Sequence, residues 1–132
     1  MKILFVCTGN SFRSPVAEAL LKKFRSDLRV DSAGTFPARR IASNAKRLLE
    51  KEKALGYLKG SPEGIDEKRM GEYDRIIAME EEHSCIIMKE HPRVRAKVEV
   101  WNIKDPYFLP PGYDKKVFEE IKREVMKLAH SL

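Results

Sequence analysis

A cysteine and an arginine stand six residues apart near the start of the chain, in Cys7-Thr8-Gly9-Asn10-Ser11-Phe12-Arg13-Ser14. A thiolate is a strong nucleophile, and a guanidinium presents a planar fork of donors that can grip two phosphate oxygens. Gly9 allows backbone conformations closed to other residues, and Asn10 tolerates positive φ better than most. A loop that runs into a helix N-terminus aims backbone N–H groups at one point and adds the positive end of the helix dipole, which makes a nest for tetrahedral oxyanions. The same field favours a thiolate: a free cysteine has a pKa of roughly 8.5, and positive surroundings bring it down to roughly 3.5–7.5. Ser14 can donate a hydrogen bond to that thiolate. Thr8, Ser11 and Phe12 complete a loop in which Cys7 would attack phosphorus in line while Arg13 holds the phosphate. Each residue also has a plainer reading: Cys7 as a small buried hydrophobe at a strand end, Gly9 as a turn residue, Ser14 as a helix N-cap. The context of the loop decides between the two readings.

That context is a strand before the loop and a helix after it. Residues 2–6, Lys-Ile-Leu-Phe-Val, form a short apolar run of the kind buried on both faces of a sheet. A helix is predicted from Ser14, with Pro15 at its first position and Val16, Ala17, Leu20, Leu21 and Phe24 at helical spacing. Further strands are predicted at 28–32, 75–79 and 97–101. Helices are predicted at 41–55, stopped by Gly56, and at 80–90. A last helix is capped by Asp114, with Val117, Phe118, Ile121, Val125 and Leu128 on one face. A short helical turn is expected at 66–70. The alternation predicts an α/β domain with a mostly parallel sheet and right-handed connections. Ligands bind beyond the carboxyl ends of such strands. The loop after the first strand begins at Cys7, and the loop after the fourth, 102–112, contains Asp105, so both reach one crevice.

The bulk properties exclude several classes. One hundred and thirty-two residues suit a single domain over 1–132. The composition, 42% hydrophobic and 35% charged, is that of a globular chain. The apolar run at the N-terminus is shorter than the roughly 7–15 residues of an export signal, and no segment approaches the roughly 18 of a membrane span. Two cysteines do not make a disulfide scaffold, so a cytoplasmic location is expected, and it suits a free thiol. The net charge of +6 favours anionic ligands, but a solvated mixed-charge surface is the commoner account of such a balance, so the charge does not decide function.

The run from Val6 to Glu18 resembles the signature of the low-molecular-weight protein-tyrosine-phosphatase family. Asp31-Ser32-Ala33-Gly34-Thr35 is similar to that family's second-strand motif, and Asp105-Pro106-Tyr107 to its acid loop. Their order and spacing agree with a match over the whole chain. The resemblance implies a four-stranded parallel sheet with helices on both faces. It implies hydrolysis of protein phosphotyrosine and aryl phosphates through a phosphocysteine, with Cys7 as nucleophile, Arg13 as clamp and Asp105 as general acid and then base. Neither metal nor other cofactor is expected. The expected partners are phosphorylated protein substrates, with no nucleic acid or membrane, and the chain is expected to be a monomer. By the same resemblance Ser32 supports Asn10, and Tyr107 and Phe36 form the walls that flank a substrate ring. Phe36 could equally cover an apolar loop.

The chain departs from the family pattern in two places. Phe12 stands where many members carry a second loop cysteine, so that disulfide switch is absent. The stretch Gly60-Ser61-Pro62-Glu63-Gly64 has no histidine where some members use one to hydrogen-bond the loop serine, which leaves the tuning of Cys7 open. Three other readings compete. A protein-arginine phosphatase is suggested by Ser11, small and polar where arginine-directed members resemble it with Thr. Arsenate reductase shares the fold and loop, but its thioredoxin-linked form needs two further cysteines and only Cys85 remains, expected as a buried structural thiol. A basic binding module would need more than Arg39-Arg40 and Arg93-Val94-Arg95. His83 and His91 are expected at the surface.

Overall fold

The computed structural model describes every residue, Met1–Leu132. Four parallel strands, β1 (Lys2–Cys7), β2 (Arg29–Gly34), β3 (Arg75–Ala78) and β4 (Val98–Val100), lie in the order β2-β1-β3-β4. The α-helices are α1 (Arg13–Phe24), α2 (Ser43–Lys51), α3 (Glu81–Glu90) and α4 (Tyr113–Ser131). Short 3-10 turns occupy Leu55–Tyr57, Ile65–Glu67, Met70–Glu72, Pro92–Lys97 and Pro106–Phe108. No helix is long and apolar enough to cross a membrane.

Side chains alternate across a strand, so β1 serves two cores. Ile3, Phe5 and Cys7 pack with Val16 and Leu20 of α1, Leu48 and Leu49 of α2, and Phe118, Ile121 and Val125 of α4. Leu4 and Val6 face the other way, with Ile76 of β3, Met70, Tyr73, Val94 and Ile87 of α3. Residues 3–6 have no exposed surface. Each such large side chain contributes about 1.5–3 kcal/mol by leaving water. The strand that ends at Cys7 is therefore anchored on both faces. Strand order changes direction between β1 and β3, which opens a crevice at their carboxyl ends.

Several boundaries differ from expectation. Helix α1 begins at Arg13, with Phe12 in the cap position and no side-chain cap. Ser14 is thus inside the first turn, and its hydroxyl is free for another partner. Helix α2 ends at Lys51 rather than reaching 55, because Lys53 turns into the left-handed region with φ 57°. Gly56 is therefore not its stop. Helix α4 starts behind Gly112, whose φ is 93°, so Asp114 lies within the helix and does not cap it. Its carboxylate accepts instead from Asn44 Nδ2 at 3.3 Å, tying α4 to α2.

Candidate active site

The loop after β1 turns its carbonyls outward. The carbonyls of Cys7, Thr8, Gly9 and Ser11 accept from the N–H groups of Thr35, Phe36, Ala38 and Ala42 at 2.9–3.0 Å. The N–H groups of residues 8–14 have no acceptor anywhere in the protein. Seven consecutive donors are thus unpaired, which would be costly without a ligand, and five of the residues that carry them (Thr8, Gly9, Ser11, Phe12 and Arg13) line the pocket. Two residues make this path possible. Asn10 takes φ 52°, the left-handed region. Gly34 lets β2 approach closely: a Cβ there would sit 2.4 Å from the Thr8 carbonyl oxygen and 3.0 Å from Asn10 N.

Cys7 Sγ lies 2.9 Å from Ser14 Oγ. Ser14 Oγ itself accepts from Asn10 Nδ2 at 2.8 Å, so its own proton is left to donate to sulfur. Asn10 Nδ2 also donates to Ser32 Oγ at 2.9 Å, and Ser32 donates onward to Glu18 Oε1 at 2.5 Å. Asn10, Ser14, Ser32 and Glu18 are all buried. The structure places Ser32, the residue expected to support Asn10, within hydrogen-bond distance of it. The Asn10 side-chain oxygen Oδ1 accepts from Glu63 N at 2.8 Å and from Lys59 Nζ at 2.7 Å.

Arg13 is buried and held from two sides. One guanidinium nitrogen donates to Glu80 Oε1 at 2.5 Å and to the Ile103 carbonyl at 2.8 Å. The other lies 3.5 Å from Asp105 Oδ2. Asp105 is also tied to its own loop, where Oδ1 accepts from Tyr107 N at 3.0 Å.

His83 is not a surface residue. It is fully buried behind Thr8, because the first turn of α3 packs against the loop. Its Nδ1 accepts from Glu80 N at 3.0 Å, which leaves the proton on Nε2 to donate to Thr8 Oγ1 at 2.8 Å. Burial, and then the charge of Arg13, push its pKa down to about 4. His91 is half-buried. Cys85, expected as a buried thiol, is exposed: it lies on the outer side of α3, while Ile87 of the same helix faces the core. Glu80, Glu82 and His83 bring ligand-capable atoms within 4.8 Å of one another, but both ring nitrogens of His83 are engaged and Glu80 is bonded to Arg13.

The pocket above Cys7 is lined below by Thr8, Gly9, Ser11, Phe12 and Arg13. One wall is Asp105, Pro106, Tyr107 and Phe108; the other is Ala38, Ala42 and Asn44. Tyr107 and Phe108 are 85% and 80% exposed and pack edge-to-face, with centroids 5.1 Å apart. Phe36 does not form the opposite wall. Its N–H is tied to the Thr8 carbonyl, but its ring is 79% exposed and lies outside the pocket lining. Ser11 Oγ donates to the Arg40 carbonyl at 2.9 Å. A charged lobe continues from the pocket past Glu80, Glu82 and Lys104.

Sequence reasoning did not single out Lys59, Glu80 or Glu18, nor the contact of His83 with the loop. A parallel α/β sheet that carries an anion cradle around Cys7 and Arg13, with an aspartate from a second loop beside it, defines the class. The sequence matches the low molecular weight phosphotyrosine protein phosphatase family over residues 2–132, and the chain belongs to that family of phosphatases. It is 40% identical to a protein-arginine-phosphatase of Bacillus subtilis, over 74% of this chain and 68% of that protein. It is 32% identical to the low molecular weight protein-tyrosine-phosphatase Wzb of Salmonella typhi, over 99% of this chain and 93% of that one. A solved low molecular weight protein tyrosine phosphatase from T. tengcongensis superposes with a TM-score of 0.89 at 28% identity, covering all of this chain and 99% of the other.

Proposed function

We propose that this phosphatase hydrolyses protein phosphotyrosine and aryl phosphates through a phosphocysteine. The observation that carries the reading is the set of seven unpaired N–H groups over residues 8–14, in a loop that shares one pocket with Cys7 and Arg13. These donors and the Arg13 fork match the equatorial oxygens of a phosphoryl group in transfer. In the first step Cys7 Sγ attacks phosphorus, the P–O bond to the leaving group breaks, and Asp105 gives its proton to the departing oxygen. In the second, Asp105 takes a proton from water, the water oxygen attacks phosphorus, and the P–S bond breaks to release phosphate and the thiolate. Asp105 acts protonated and then ionised, so a mildly acidic optimum is expected. The residues supply all of this chemistry without a cofactor.

The Tyr107 and Phe108 wall favours an aryl substrate, since a ring there gains contact area and edge-to-face contacts. A second reading, hydrolysis of protein phosphoarginine, is favoured by the 40% identity to the Bacillus subtilis arginine phosphatase and by the small polar Ser11 in the pocket. The proposal extends to a monomer acting in a reducing compartment, which suits an enzyme whose nucleophile has no disulfide partner beside it.

Hydrolysis of para-nitrophenyl phosphate with a chelator present, from mildly acidic to neutral pH, tests the reading. Reduced wild-type protein is expected to turn over and Cys7→Ser to be inactive. Phosphotyrosine and phosphoarginine peptides then separate the two substrates. Absence of turnover in the reduced wild type overturns the reading and directs attention to arsenate reduction with a thiol donor.

A further inference from the structure

We propose that Lys59 is a positioning residue for Cys7: its ammonium fixes the direction of a buried hydrogen-bond chain whose last donor points at Sγ. The proposal rests on Cys7 as the nucleophile and concerns how that sulfur is prepared.

Lys59 follows the Leu55–Tyr57 turn, and its side chain is only 9% exposed. A buried lysine is costly unless paired, and this one has three close acceptors for three protons. They are Asn10 Oδ1 at 2.7 Å, the Ser32 carbonyl at 2.8 Å and Glu63 Oε1 at 2.8 Å. Pairing with Glu63 alone would not need burial, since that carboxylate is 39% exposed. The ammonium is instead drawn inward to an amide oxygen under the loop.

An ammonium has donors and no acceptor. It therefore decides which end of the Asn10 amide faces it: Oδ1 must, and Nδ2 must point to Ser14 and Ser32. Ser14 Oγ then accepts a hydrogen bond from Asn10 and has its own proton left to donate. Its choices are Cys7 Sγ at 2.9 Å and the Ala33 carbonyl at 3.5 Å, and the nearer is sulfur. Were the amide to turn over, Oδ1 would take the Ser14 proton and the sulfur would lose its donor. Glu63 N also donates to Oδ1, but only Lys59 brings a charge. Lys59 acts through Asn10 and Ser14, and it also places a positive charge behind the loop. The other charges in this surround are Glu63 with Lys68, Glu18 and Arg13 on α1, Glu80 beside His83 at α3, and Asp105 after β4.

The test reads Cys7 directly, as the pH midpoint of its alkylation by iodoacetamide, in a Cys85→Ser background that removes the exposed thiol. Lys59→Met is expected to move the midpoint up by about one pH unit, and Glu63→Gln, which removes the opposing charge, to move it down by about 0.3. Lys59→Arg keeps a cation and is expected to stay within about 0.3 of the parent. With para-nitrophenyl phosphate, kcat of Lys59→Met is expected to fall about tenfold with KM changed less than about twofold. A Lys59→Met protein that melts lower but keeps the parental midpoint and kcat overturns the proposal and leaves Lys59 a structural residue. Should Lys59→Met not fold, Glu63→Gln decides: the downward movement supports the proposal, and an unmoved midpoint overturns it. Because alkylation needs no turnover, a shifted midpoint in a protein without phosphatase activity would still support this proposal while refuting the proposed function.

Discussion

The two sides of the pocket are built on opposite plans. The Cys7–Ser14 side is mostly buried, four of its carbonyls are tied to the segment after β2, and its side chains lock one another from Glu18 to Sγ. The Asp105–Phe108 side is a single 3-10 turn held by one aspartate, which caps it and reaches Arg13, with two rings in solvent. On the proposed function, the side that holds the phosphoryl group common to every substrate is preorganised, and the side that meets the varying leaving group is loosely tethered.

Substitutions can break this contrast, and their effects should fall in order across it. Cys7→Ser on the rigid side is expected to lose at least about 10⁴-fold in kcat, with the fold kept. Asp105→Asn is expected to cost about 10²–10⁴-fold with phosphotyrosine. It should cost much less with para-nitrophenyl phosphate, whose leaving oxygen needs little protonation; an equal loss with both would mean that Asp105 is not the acid. Tyr107→Ala is expected to raise KM for a phosphotyrosine peptide by up to about tenfold and to leave inorganic phosphate inhibition unchanged. An unchanged KM would shift the substrate reading toward phosphoarginine.

The smallest effect sharpens the rigid side through stability. Folded His83 titrates near 4, whereas an unfolded histidine titrates at roughly 6.5. Its folded pKa is lowered, so between those values the unfolded chain binds more protons and stability falls as pH falls. The full contribution is present above about 6.5, and the loss, roughly 3 kcal/mol, is complete near pH 4. His83→Gln is expected to flatten the decline in Tm over that window. A decline as steep as the parent's would place its origin in other groups.

What could be read from sequence follows the same division. The phosphate loop is a contiguous run, and the physics that specifies it, a strand, a glycine, an asparagine and a helix start, is local. Asp105 was legible because strand order puts two loop ends on one edge of the sheet. The supports of the loop were not, because they arrive across the fold. Lys59 sits in an unremarkable polar stretch, 49 residues from Asn10. His83 follows three glutamates, which made it look solvated, yet Glu80 is turned to Arg13 and the histidine to Thr8. Ser14 reads as a cap because serine is a good one; the helix and its cap lie two residues earlier, and the hydroxyl goes to sulfur. Phe36 was placed on the wall by its neighbour in sequence, but backbone attachment near the loop does not decide where a ring points. Cys85 shows the same limit, since burial preference is a statistic and helix phase decides the face.

The division of β1 between two cores has a consequence for how this enzyme can change. Successive side chains of a strand point to opposite faces, so deleting or inserting one residue ahead of Cys7 would exchange every partner of Ile3, Leu4, Phe5 and Val6 and carry the sulfur to the wrong face of the sheet. The register of the strand ahead of Cys7 is therefore fixed by the two cores that it serves. Beyond β4 the rings of Tyr107 and Phe108 stand in solvent and serve no core. On the proposed function, substrate range can drift by substitution of those exposed rings, whereas β1 is held on both of its faces.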